Sequence, residues 1–222
     1  RYQSVAYEIT DWTPVSSPAI VGQAAEFVAG AKNLIVTGSW DSIYTSANSG
    51  ATWHRSIKGI RDGFRFLSIQ AASDESLWAI ASHTGVYKKS ATDEMFSLVQ
   101  PGTNFGSAAL KGDSLAVITD YRVRMYNVIT GAWGKTVNSP LYFIDDLVYA
   151  NNGFFVSTKT TGVHRYIGTE WRTFNTGLTD LGIKGFGKTG DTLFVGTALG
   201  IFKTNTATAQ WTSVPFATTG DP

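Results

Sequence analysis

Cysteine is absent from the 222 residues of this chain. That excludes disulfides and thiolate metal sites, so packing and backbone pairing must hold the fold. Charge is also scarce, with 16% of residues charged and a net of +1. A nucleic-acid binder needs a basic stripe to neutralise phosphates, so no nucleic-acid partner is expected. No apolar run approaches the roughly 20 residues of a membrane-spanning helix, so no transmembrane segment is expected. Arg1 begins within a strand-like pattern rather than a charged and then apolar leader. Proline is sparse at 6 whereas glycine is abundant at 23. Glycine among Ser, Thr and Asn, between short apolar runs, reads as tight turns joining strands.

What the chain does have is a repeat. Trp12, Trp53, Trp133, Trp171 and Trp211 recur at the end of a strand-rich unit, and Phe96 fills the same slot once. Successive positions differ by 41, 43, 37, 38 and 40 residues, by subtraction of their numbers. A period near 40 residues marks a repeat architecture. Each copy holds four strand signals. In the last copy they are Ile183 to Lys188, Leu193 to Val195, Ile201 to Thr204 and Gln210 to Val214. Second strands elsewhere are Leu34–Val36, Leu77–Ile80, Leu115–Ile118 and Phe154–Val156. Asn33, Gly112-Asp113, Asn151-Asn152-Gly153 and Gly190-Asp191 stand just before second strands. Such residues tolerate the positive φ or local capping that a tight hairpin needs.

Four short antiparallel strands repeated five times predict an all-β fold, a β-propeller of four-stranded blades. The recurring Trp rings are expected to fill space at or between blades. The expected organisation is a single propeller domain over 1–222, with blades at 22–56, 57–100, 101–137, 138–176 and 177–222. Residues 1–21 form an N-terminal partial blade, because Val5–Ile9 and Trp12–Val15 carry the third- and fourth-strand pattern. Two arrangements fit. Either five blades close the ring with that pair as an appendage, or the chain is part of a larger, six-bladed or multidomain protein.

Ser46-Ala47-Asn48-Ser49-Gly50-Ala51-Thr52-Trp53 resembles the Asp-box of the bacterial neuraminidase repeat families, with Asn48 where the family has Asp. The copies ending at Trp133, Trp171 and Trp211 keep little beyond the Trp. The resemblance implies a propeller in which the box is a folding element between third and fourth strands. It does not extend to sialidase chemistry. No Arg-x-Pro motif occurs, and none of the five glutamates falls on the site face beside a tyrosine.

The strand order places second-to-third loops and inter-blade loops on one face. Candidate ligand-binding residues there are Trp40, Asp41, Arg61, Asp62, Arg65, His83, Tyr121 and Arg122. Trp40, His83 and Tyr121 hold matching positions in successive blades and could stack on a sugar ring. Arginine beside Asp62 could grip a carboxylate or phosphate. Asp145-Asp146 and Asp93-Glu94 are adjacent, and neighbours on a strand point to opposite faces, so neither is expected to make a paired-carboxylate site. His54, His83 and His164 lack metal-ligand spacing, and no dinucleotide or Walker motif occurs, so neither metal nor cofactor is expected. Gly185-Phe186-Gly187-Lys188-Thr189 leads into a strand and is discounted as a phosphate loop. The leading expectation is a non-catalytic binding or scaffold propeller of an exported bacterial protein, secreted or at the cell surface, with a glycan or protein partner. The alternative is a glycoside hydrolase, or a fragment of one, using Asp41, Asp62, Asp120 and Asp180 near the central opening.

Overall fold

The alternation of β-branched and aromatic residues with small polar ones becomes twenty short strands. The computed structural model describes residues 26–62, 64–112, 114–120, 122–137, 144–167 and 170–215. Residues 1–25, with Trp12 and the partial blade, lie outside the described residues, as do Asp113, Tyr121 and Tyr142.

Blade 1 comprises β1 (Phe27–Ala31), β2 (Leu34–Ser39), β3 (Ser42–Ser46) and β4 (His54–Arg55). Blade 2 comprises β5 (Phe66–Ala71), β6 (Leu77–Ala81), β7 (Gly85–Lys89) and β8 (Ser97–Pro101). Blade 3 comprises β9 (Phe105–Lys111), β10 (Ser114–Thr119), β11 (Arg122–Asn127) and β12 (Ala132–Val137). Blade 4 comprises β13 (Ile144–Ala150), β14 (Gly153–Thr158), β15 (Val163–Ile167) and β16 (Glu170–Thr173). Blade 5 comprises β17 (Gly185–Thr189), β18 (Thr192–Thr197), β19 (Gly200–Asn205) and β20 (Thr212–Ser213).

Each sheet is antiparallel with its strands in sequence order. The first strand of every blade is innermost, and the five stand around a shared cavity. This is a five-bladed β-propeller. The expected strand at Ile183 begins at Gly185 instead. Ile183 is 3% exposed in the apolar cluster between blades 4 and 5, where a large side chain is better buried than in a ladder facing the cavity. The last expected strand shrinks to two residues, because Trp211 turns its backbone N–H to the Thr176 carbonyl of blade 4.

The repeat tryptophans fulfil the packing expectation. Trp133, Trp171 and Trp211 lie in the clusters joining blades 2 and 3, 3 and 4, and 4 and 5, and Phe96 lies in the one joining blades 1 and 2. Each aromatic thus packs on the preceding blade. Inner strands follow suit, β1 on β5, β5 on β9, β9 on β13 and β13 on β17. No comparable packing joins β17 to β1 among the described residues.

The turn at Ser46–Trp53 is closed by side chains. Ser46 Oγ accepts from Gly50 N at 2.8 Å, and Asn48 Oδ1 accepts from Thr52 N at 2.9 Å. The Trp53 indole N–H donates to Gly50 O at 2.9 Å. Gly50 has φ of 92°, a value that suits glycine. An amide at position 48 can do this because only the acceptor oxygen is needed.

Candidate functional site

The central cavity measures about 1110 Å³ and runs along all five inner strands. At the loop face its wall carries Arg65, His83, Asn104, Asp120 and Lys184. The loops are set by backbone bonds within and between blades. Phe66 N donates to Trp40 O at 2.8 Å, and Asp120 N donates to Asn104 O at 3.1 Å. Asn104 Nδ2 also donates to Asp120 Oδ1 at 2.9 Å. His83 has φ of 62° and Asp120 of 50°, in the left-handed region where both ends of these tight loops turn.

Deeper in the cavity, three inner strands depart from regular pairing. The register shifts between Phe66 and Ser68, between Val117 and Thr119 opposite β9, and between Ile144 and Asp146. Each shift is a bulge that adds one residue on the inner strand and re-aims its neighbours. Asp145 and Asp146 both border the cavity, beside the bulge in β13. Ser68 of blade 2, Ser107 of blade 3 and Asp146 of blade 4 occupy equivalent places on the wall. Ser107 Oγ donates to Asp146 Oδ1, and Leu147 N donates to the same oxygen at 2.8 Å. Gln70 Nε2 donates to Ser68 Oγ at 3.3 Å.

Burial at this wall pushes the Asp146 carboxyl above its ordinary value, against the opposing pull of the Ser107 hydrogen bond. Asp145 faces the opening and pairs with Lys159 Nζ at 3.5 Å. Ser68, Ser107 and Asp146 are functional candidates the sequence reading missed. The signal was present as single polar residues inside apolar inner strands, at Leu67-Ser68-Ile69 and Gly106-Ser107-Ala108.

Of the expected site residues, Arg65 and His83 both line the cavity. Trp40 stands outside it on the loop face and is 53% exposed. Asp41 accepts from Ser39 Oγ at 2.8 Å, and this bond holds its carboxyl below the usual range. Arg61 and Asp62 are exposed on the loop before β5, with Arg61 N at 3.5 Å from the Tyr87 hydroxyl. Arg122 is exposed at the start of β11, and Tyr121 lies outside the described residues. Asp180 has both oxygens engaged, by Gly182 N at 2.9 Å and Ala198 N at 3.0 Å. Among the described residues no group of three or more His, Asp or Glu side chains converges as a metal site. Among the described residues no helix is long and apolar enough to cross a membrane.

Neither a family model nor a curated protein matches the chain. Solved structures do. The extracellular domain of a putative one-component system of B. thetaiotaomicron aligns with a TM-score of 0.67 at 15% identity, over 86% of this chain and 28% of that one. The WD40 β-propeller domain of Doa1 gives 0.65 at 13%, over 86% of this chain and 67% of that one. YCF48 bound to D1 peptide gives 0.60 at 10%, over 83% of this chain and 64% of that one. At these identities the likeness is one of fold. The chain spans little more than a quarter of the first of these proteins.

Proposed function

We propose that this chain is a non-catalytic binding or scaffold propeller of the Asp-box type, taking a protein segment on its loop face at the mouth of the central cavity. The observation that carries this is the cavity itself, whose rim presents Arg65, His83 and Asp120 beside the exposed ring of Trp40. A concave site with a few convergent polar groups is where a propeller of this kind offers most contact. Its groups fit an extended polypeptide, with charged rim residues for side chains and an aromatic for an apolar anchor. Among similar folds, one structure holds a bound peptide. The extracellular domain among them supports an exported protein. The Ser46, Asn48 and Gly50 bonds support the Asp-box assignment.

The acids serve as fasteners, which favours binding over hydrolysis. Asp41, Asp120 and Asp180 each accept hydrogen bonds that shape their own loops. A glycan is the second reading, favoured by Trp40, whose ring is free to stack on a pyranose. Peptide and glycan arrays probed with the whole chain separate the two. The triple variant Trp40→Ala, Arg65→Ala, His83→Ala should weaken any captured ligand at least tenfold. Undiminished binding by that variant would place the site elsewhere.

A further inference from the structure

The blade junctions are not packed alike. Trp78, Ala116 and Phe155 hold the same rung of the hairpins joining second to third strands, where they pair with Lys88, Met125 and Arg165. Each faces the next blade, in the clusters joining blades 2 and 3, 3 and 4, and 4 and 5. Two of these junctions thus receive a ring. Trp78 meets Tyr126 at 5.8 Å between ring centroids, and Phe155 meets Phe174 at 5.1 Å. At the junction of blades 3 and 4, Ala116 supplies only a methyl group, and a pocket of about 400 Å³ remains there.

Val123 and Met125 of blade 3 form one wall of this pocket, and Tyr149, Phe154, Tyr166 and Trp171 of blade 4 form the other. The blade 4 rings are paired, Tyr149 on Phe154 at 4.9 Å and Tyr166 on Trp171 at 5.3 Å. Lys111 and Asn152 border the pocket from the turns between first and second strands, at the end of the blades opposite the second-to-third loops. The indole N–H of Trp53 donates to Gly50 O, that of Trp133 to Gln100 Oε1 and that of Trp211 to Phe174 O. The indole N–H of Trp171 is buried with no partner among the described residues. A buried donor without an acceptor costs free energy. Trp171 stands in the pocket wall, so an acceptor on a ligand would meet this donor after a small shift of the side chains around it. Lys111 is the one charged residue of the wall, and its Nζ lies 4.6 Å from the centre of the Tyr149 ring.

We propose that this pocket binds a small aryl carboxylate, with its ring against the aromatic wall of blade 4 and its carboxylate toward Lys111. The volume suits a ligand of one or two rings. Apolar walls with a single cation favour a ring bearing one negative charge over a glycan, whose many hydroxyls would find few partners here.

Calorimetric titration of the whole chain with phenylacetate tests this, with phenylacetamide as its uncharged counterpart. Phenylacetate should bind about fivefold more tightly, the worth of one exposed charge pair. Added salt should shrink that margin and leave phenylacetamide unchanged. Lys111→Met should remove the margin, and Ala116→Phe, which supplies the missing ring, should abolish binding of both. Phenylacetate that fails to bind, or binds no better than phenylacetamide, would overturn the proposal. So would unchanged phenylacetate affinity in Lys111→Met, a change at an exposed side chain that leaves the core intact.

Discussion

The junction between blades 4 and 5 and the one between blades 5 and 1 are made from the same repeat, and among the described residues only the first is filled. In the filled junction, Trp211 is 1% exposed, its ring meets Phe174 at 6.2 Å, and its indole N–H donates to Phe174 O at 2.6 Å. Leu193, Val195 and Phe202 complete that core. Across the gap, the opposite face of blade 5 presents Ile201 and Lys203, and blade 1 presents Val28. A blade has two faces and buries each only against a neighbour. Stability in such a stack is close to a sum over neighbouring interfaces. Among the described residues four such interfaces are filled, and each adds its share.

Substitutions sharpen the contrast. Trp211→Ala should have the largest effect, about 3–5 kcal/mol lost, because it opens a cavity and leaves the Phe174 carbonyl without its donor. Equilibrium denaturation measures it, and a loss below about 1 kcal/mol would show that the junction is not closed as described.

The junction between blades 3 and 4 is crossed by the Ser107–Asp146 hydrogen bond, and pH reads the burial of that carboxyl. The unfolded Asp titrates near 3.8, and the native one above it because of burial. Between those values the native chain holds more protons than the unfolded one, so stability falls as pH rises through the window. The full cost then persists at higher pH. Asp146→Asn should remove this slope, and a variant with an unchanged slope would assign it to another group.

Val28→Ser should have the smallest effect, within about 0.5 kcal/mol, as expected for a side chain that touches little. A larger loss in thermal or chemical denaturation would mean that this part of the gap is covered.

Much of the fold was legible in the sequence because its signals are local. Period-two apolar runs between Gly, Asn and Asp turns fixed the strands, and the spacing of Trp53, Phe96, Trp133, Trp171 and Trp211 fixed the blades. The turn after β3 was legible from Ser46 to Trp53. Its relatives hid better. Asn127 Oδ1 accepts from Ile129 N and Thr130 N at 2.9 and 2.8 Å, and Asn205 Oδ1 accepts from Ala207 N at 2.9 Å. Both asparagines cap their own turns through N–H groups two or three residues on, whereas Asn48 reaches the Thr52 N–H four residues on, so the turns after β11 and β19 close by a different bond.

The candidate site was less legible. The place of Arg65 and His83 beside the cavity was legible because loop position follows from strand order. Ser68, Ser107 and Asp146 were not, because a bulge is a misfit between two strands and neither strand announces it alone.

The sequence by itself determined the all-β class, the four-stranded unit and the role of its recurring aromatics, since each depends on residues within about one repeat of one another. Only the tertiary structure decided that Asp145 and Asp146 border one cavity, that Ser107 reaches Asp146 from the neighbouring blade, and that four junctions are filled among the described residues. Those outcomes depend on how separate sheets meet, and side-chain order along one strand carries no record of the face opposite.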